Sequence, residues 1–169
     1  KTKGRANIFQ IEWLDWSQSL DCDYDGTNNF YGIQGLVVRS LVESGEVLVR
    51  RVKRDSGFGL NIPMQLQVLE PDFIDETKDG ELFSNGNFTI QGVEFNSQGK
   101  RVAYWLFNKH PGDTFGIPSL KGINSQRVPA EDILHIFRVD RAGQVRGIPW
   151  MAPVILKLKD LSDYSDFTL

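Results

Sequence analysis

The chain is poor in the residues that build reactive sites. Of its 169 residues one is cysteine, Cys22, and two are histidine, His110 and His135. A single cysteine excludes an intrachain disulfide framework and suits a reducing compartment. With two histidines it cannot compose the usual His/Cys zinc set. No glycine-rich loop leads from a strand into a helix with the lysine of a phosphate cradle, and no nucleophile-elbow pattern occurs. Positive charge is scarce too: 19 Lys and Arg face 22 Asp and Glu, giving a net charge of −3. No overall cationic field therefore draws the chain onto nucleic acid or an anionic membrane, and any contact with DNA is expected to be local or transient. No apolar run approaches the roughly 20 residues that span a bilayer, and Lys1-Thr-Lys-Gly-Arg5 leads into no signal-peptide core. No membrane partner is expected.

What is present is ordinary globular material, 40% hydrophobic and 24% charged. Phe9, Trp13, Trp16 and Leu20 recur at helical spacing, which predicts an amphipathic helix over 8–20 whose aromatic stripe needs a partner surface. Phe30, Ile33, Val37 and Leu41 form a second stripe, and Gly45 stands where a helix over 30–44 would end. From Glu46 the period becomes two, predicting strands over 46–53, 64–69, 88–95, 102–107 and 133–139. Asn96-Ser-Gln-Gly-Lys100 suits a hairpin loop. Residues 110–130, with Pro111, Gly112, Gly116, Pro118, Gly122 and Pro129, read as an irregular excursion. Pro149 can open a last helix over 149–166, in which Met151, Val154, Ile155, Leu158, Leu161 and Tyr164 share one face. The expected fold is therefore α+β, an antiparallel sheet flanked by amphipathic helices. The start without Met, and the end at Asp163-Tyr-Ser-Asp-Phe-Thr-Leu169 without a stop signal, predict a piece of something longer.

Several patterns could carry chemistry. Asp21-Cys-Asp-Tyr-Asp-Gly26 matches the opening of an EF-hand loop, but its closing position is Gly32, where calcium requires a bidentate carboxylate. An acidic turn capping the next helix is the favoured reading, and a calcium-dependent binding module the alternative. Asp75-Glu76 and Glu131-Asp132 stand beside loop punctuation, where carboxylates cap turns. His135 reads as a satisfied strand residue and His110 as a turn residue. Arg50-Arg51-Val52-Lys53-Arg54 is a dense basic cluster, either a solvated strand end or a phosphate-binding stripe. With Arg141 and Arg146 of the glycine-flanked basic loop, Arg50, Arg51, Lys53 and Arg54 are the candidate contacts for DNA or a partner. No catalytic residue, cofactor or metal is expected.

Val128-Pro-Ala-Glu-Asp-Ile-Leu-His-Ile-Phe137, with Arg141-Ala-Gly-Gln-Val-Arg-Gly-Ile-Pro-Trp-Met-Ala-Pro-Val154 and Leu158-Lys-Asp-Leu-Ser-Asp-Tyr164, resembles the lambda-type family of phage portal proteins. Gly92-Val-Glu-Phe-Asn96, Gly99-Lys-Arg-Val-Ala-Tyr-Trp105 and His110-Pro-Gly-Asp113 are similar to the same family's hairpin. Leu69-Glu-Pro-Asp72 and Ser44-Gly-Glu-Val-Leu-Val49 fall in order before it.

The resemblance implies an internal fragment of a portal subunit: a helical lead-in over 1–45, a β-rich wing- or clip-like region over 46–140, and the start of a longer helix over 141–169. It implies a homo-oligomeric ring, commonly a dodecamer, at one capsid vertex of the virion, assembled in the bacterial cytoplasm beside capsid and scaffold. Terminase large subunit and the head-tail connector would dock on it, and double-stranded DNA would pass through during packaging and ejection. The implied role is structural and non-enzymatic. A channel through which DNA slides should not hold phosphates tightly, since each neutralised phosphate adds counterion-release affinity, and a mildly acidic chain fits that demand. In such a ring the apolar face from Met151 to Tyr164 is expected to be an assembly element.

Overall fold

The computed structural model of the chain describes residues 2–112 and 124–167. In chain order it runs α1 (Thr2–Gln18), α2 (Phe30–Ser44), β1 (Glu46–Lys53), β2 (Met64–Leu69), β3 (Phe88–Ile90), β4 (Val93–Phe95), β5 (Arg101–Phe107), β6 (Ser125–Pro129), β7 (Ile133–Phe137) and α3 (Ile155–Phe167). The α+β class is the one expected, and each strand pair is antiparallel. The strands divide between two sheets, ordered β2-β1-β7 and β3-β4-β5-β6.

The turn from α2 into β1 explains why the period changes so sharply at residue 45. Asn29 caps the start of α2, its Oδ1 accepting from the Gly32 N–H at 2.9 Å. At the other end Gly45 takes the left-handed conformation at φ 83°, and its N–H donates to the Leu41 carbonyl at 3.0 Å. A β-carbon there would lie 2.1 Å from the Ile148 carbonyl carbon, so the position requires glycine. The chain leaves the helix within one residue and becomes the central strand of the first sheet. Glu46, Val47, Leu48 and Val49 are all buried, because β1 is covered on both faces.

Two cores lie on either side of that sheet. One joins the sheets through Leu48, Leu69, Ile74, Val93, Tyr104 and Leu106. The other sits under the first two helices, where Trp16, Cys22 and Ile33 meet Met64, Leu66 and Val68 of β2. The period-two alternation of β2 thus sends Met64, Leu66 and Val68 to the helices and Leu69 to the second sheet. Each large side chain so buried contributes about 1.5–3 kcal/mol. Of the aromatic stripe expected over 8–20, only Trp16 is buried; its Nε1 donates to the Met64 carbonyl at 2.9 Å. Phe9, Trp13 and Leu20 stay exposed.

The first helix spans Thr2–Gln18 rather than 8–20, with Leu20 in a separate turn after it, and three further elements differ from the sequence reading. The strand expected over 88–95 is folded into the hairpin β3–β4, because Gln91 and Gly92 both adopt positive φ, 50° and 77°. That pair of angles is a type I′ turn, and a β-carbon at Gly92 would come within 2.5 Å of Ile74 Cγ2. Strand β6 emerges from the stretch read as irregular. It lies at the sheet edge, where Pro129 deprives no neighbour of a hydrogen bond. Gly116, Pro118 and Gly122 of that stretch lie outside the described residues. Finally, α3 begins at Ile155 rather than at 149. Pro149 and Pro153 confine 149–154 to hydrogen-bonded turns, since Pro153 lacks a donor and restricts Ala152 before it.

Candidate functional site

A buried carboxylate collects polar contacts from distant parts of the chain. Glu46, at the head of β1, is 3% exposed. Its Oε2 accepts from His135 Nε2 at 2.8 Å and from the Gly147 N–H at 2.6 Å, while its Oε1 accepts from Arg146 Nε at 2.7 Å. Arg146 Nη1 continues to Glu76 Oε1 at 3.0 Å and to the Gln91 carbonyl at 3.2 Å. Across the imidazole, Arg101 Nη1 donates to His135 Nδ1 at 3.1 Å, and its Nη2 donates to the carbonyls of Gln144 and Val145. Gln144 closes the loop on itself, accepting from the Asp140 N–H at 2.7 Å and donating to the Arg146 carbonyl at 2.8 Å.

The electrostatics of this cluster are those of a latch, not of a catalyst. Nδ1 of His135 faces a permanent donor, so the proton belongs on Nε2, directed at Glu46. Burial, the dominant influence, lowers the imidazole below its usual value; the hydrogen bond and charge of Glu46 oppose this, and Arg101 and Arg146 reinforce it. For Glu46 burial acts upward, yet the hydrogen bonds from His135 and Gly147 and the charge of Arg146 outweigh it and hold the carboxyl below its ordinary value. The His135 side chain is 2% exposed, so no substrate can reach it as a general base would require. What the cluster does is fasten the loop 138–147 to β1, β5 and β7, and with it the launch point of α3. Sequence reasoning placed His135 correctly as a satisfied strand residue but missed Glu46, which lies 89 residues away from it.

The acidic turn is equally occupied. Asp23 is buried and its Oδ2 accepts from the Thr27 and Asn28 N–H groups at 3.0 and 2.9 Å. Burial raises its carboxyl, but these backbone donors prevail and lower it. The carboxylate a calcium ion would need is spent on its own turn, and the cap of α2 is Asn29 rather than an aspartate. The calcium-binding alternative is therefore not supported.

Among the described residues, one group has metal-ligand spacing: Glu70, Asp72 and His110. Nε2 of His110 lies 3.5 Å from Glu70 Oε2 and 3.7 Å from Asp72 Oδ2. Its Nδ1 accepts from the Gly112 N–H at 3.0 Å, which puts the imidazole proton on Nε2, the atom facing the carboxylates. Nε2 makes no hydrogen bond to either carboxylate, and in this tautomer it presents a proton rather than a lone pair to the space between them.

The six basic candidates are not gathered on one surface. Arg146 is held at Glu46, at one end of β1, and Lys53 ends the same strand, about 24 Å away. Arg51 pairs with Asp132 at 2.7 Å, and Lys53 lies 4.0 Å from the same carboxylate. Arg54 covers the rings of Tyr24 and Phe58 at 4.5 and 4.7 Å and donates to Gln65. Arg50 is half-buried and Arg141 exposed.

The apolar residues of the last helix and of the turns that lead into it have the opposite character. Met151, Val154, Ile155, Leu158, Leu161 and Tyr164 are all exposed, from 38% at Val154 to 68% at Tyr164. A second apolar feature opens on the far face of the first sheet. There α2 and strands β1 and β7 enclose a groove of about 770 Å³, lined by Ile33, Val37, Val38, Val49, Leu134 and Ile136, with Glu131 and Asp132 at its rim. None of the described helices is long and apolar enough to cross a membrane.

Around a locked polar latch the described residues leave two apolar faces open. The family model described as phage portal protein, lambda family, matches residues 2–169, and the chain belongs to that family. It is 33% identical over 159 residues to a protein of Halomonas phage phiHAP-1 described as a probable portal protein. That match covers 94% of this chain and 29% of the relative, so the chain spans under a third of the relative's length.

Proposed function

We propose that the chain is part of a portal-ring subunit, with the open face of α3 as the seam through which subunits assemble. Ring, commonly dodecameric, would form the capsid-vertex channel through which double-stranded DNA is packaged and ejected. Terminase large subunit, the head-tail connector, capsid and scaffold are its expected partners, and the virion vertex its location after assembly in the host cytoplasm. The β-rich region 46–140 would serve as wing or clip, and 141–169 as the start of the assembly helix. We read the chain as non-enzymatic, with any DNA contact falling to Arg50, Lys53 and Arg141, whose charges are least committed within the chain. The observation that carries the reading is the exposed apolar stripe on α3 in a chain of the portal family. Leaving such a stripe in water forfeits about 1.5–3 kcal/mol per large side chain, which assembly would recover.

Leu158→Asp in the full-length subunit tests it, because the charge would be buried in the seam. Monomers with native circular dichroism are expected in sedimentation velocity. Rings of normal size from this variant would remove the assembly role from α3.

A further inference from the structure

A closed ring needs two different surfaces on each subunit, one to give and one to receive, because neighbours are related by rotation rather than by a two-fold axis. The chain carries one of each. We propose that the groove between α2 and strands β1 and β7 receives the α3 stripe of a second copy of this chain, the neighbouring subunit. This rests on the ring reading above and adds to it the pairing of surfaces.

Three observations support the match. The first is length. The groove follows α2 from Phe30 to Val38, about 12 Å of helix, and Val154 to Leu161 occupies about 10 Å. The second is chemistry: the groove offers Val38 and Leu134, both exposed, to Val154, Leu158 and Leu161, also exposed. Among the described residues nothing covers these apolar side chains. The third is charge. Glu131 and Asp132 stand at the rim of the groove; Asp132 is paired with Arg51, which also lines it, whereas among the described residues Glu131 has no ion pair. On α3, Lys157 lies about 70° from the middle of the stripe formed by Val154, Leu158 and Leu161, while Lys159, Asp160 and Asp163 are turned away from it. An apolar stripe bordered by Lys157 meets an apolar groove with the unpaired Glu131 at its rim. Such complementarity fixes register and orientation more than it adds affinity.

The test is crosslinking in the full-length subunit. One preparation carries Leu134→Cys and another Leu158→Cys, both at exposed positions where the substitution leaves the core intact; Cys22 is fully buried and does not compete. The two are mixed, assembled and treated with a short bismaleimide. A covalent dimer is expected from the mixture and not from either variant alone, and a ladder up to the full ring from the double variant. Rings that form from the mixture without a crosslinked dimer would overturn the pairing while leaving the ring reading intact, meaning that another segment fills the groove. Crosslinking of the double variant within one chain would overturn it as well, since the groove would then hold its own α3. Wild-type subunits that never form rings would instead remove the reading on which the pairing rests.

Discussion

Helices α2 and α3 each carry an apolar stripe, and the stripes meet opposite fates. Ile33 of α2 is 3% exposed, packed against the first sheet, whereas Leu158 of α3 is 49% exposed. The stripes differ in sharpness, since Phe30, Ile33, Val37 and Leu41 fall within about 80° of the helix surface and Ile155, Leu158, Leu161 and Tyr164 spread over about 180°. The helices also differ in how each is tied to its neighbours. An asparagine cap and a left-handed glycine set α2 directly against β1. The latch at Glu46 fixes the chain only as far as Gly147, and two prolines then delay α3 until Ile155. Periodicity reveals that a helix has a face to bury. The connections decide whether the face is buried within the chain or left for a partner.

The largest effect is expected at the latch that separates the two helices. Glu46→Gln leaves the Arg146 guanidinium and the Gly147 N–H facing a neutral amide in a buried site, and should cost about 3–5 kcal/mol in chemical denaturation. A loss below 1 kcal/mol, on the order of a surface substitution, would mean that the latch is ornamental. Next comes the core under α2. Ile33→Ala should destabilise the chain by about 2–4 kcal/mol, where Leu158→Ala should stay within about 0.5 kcal/mol in the unassembled chain. Equal losses at the two positions would erase the contrast between the helices.

A smaller effect concerns pH. The folded value of His135 is depressed, so as acid is added the unfolded chain binds a proton that the native chain refuses. Its contribution is complete above about pH 6.5 and declines as pH falls through that value. Glu46 is depressed as well, and its contribution, present above the ordinary carboxylate value, is lost as pH falls through its lower folded value. Both act in the same direction. The melting temperature should therefore decline from about pH 7 downward, and His135→Gln should abolish the earlier part of that decline. A melting temperature that rises on acidification would contradict the assigned protonation states.

Much of this architecture was legible because it is local. The stop at Gly45, the alternation of β1 and β2, and the hairpin loop Asn96–Lys100 depend on neighbours within a few residues. The hairpin at Gln91-Gly92 was readable in principle from its glycine, but the apolar residues on both sides imitate one strand. Strand β6 was hidden because its β propensity is weak, and pairing with β5 creates it. The latch was out of reach: Glu46, Arg101, His135 and Arg146 are ordinary charged or polar residues until the fold joins them. The division into two sheets has the same cause, since alternation specifies faces and not neighbours. The open stripe on α3 was legible as a stripe, and only the structure adds that none of the described residues buries it.

The chain's two methionines allow the central claim to be measured within one sample. Met151 belongs to the exposed stripe and Met64 lies half-buried under the helices, so mild peroxide should oxidise Met151 first in unassembled subunits. Mass spectrometry of the two sulfoxides before and after ring assembly then reports whether the stripe becomes covered. The account predicts that assembly suppresses oxidation of Met151 by about tenfold while Met64 keeps its slow rate. Met151 oxidised as fast in rings as in free subunits would contradict it.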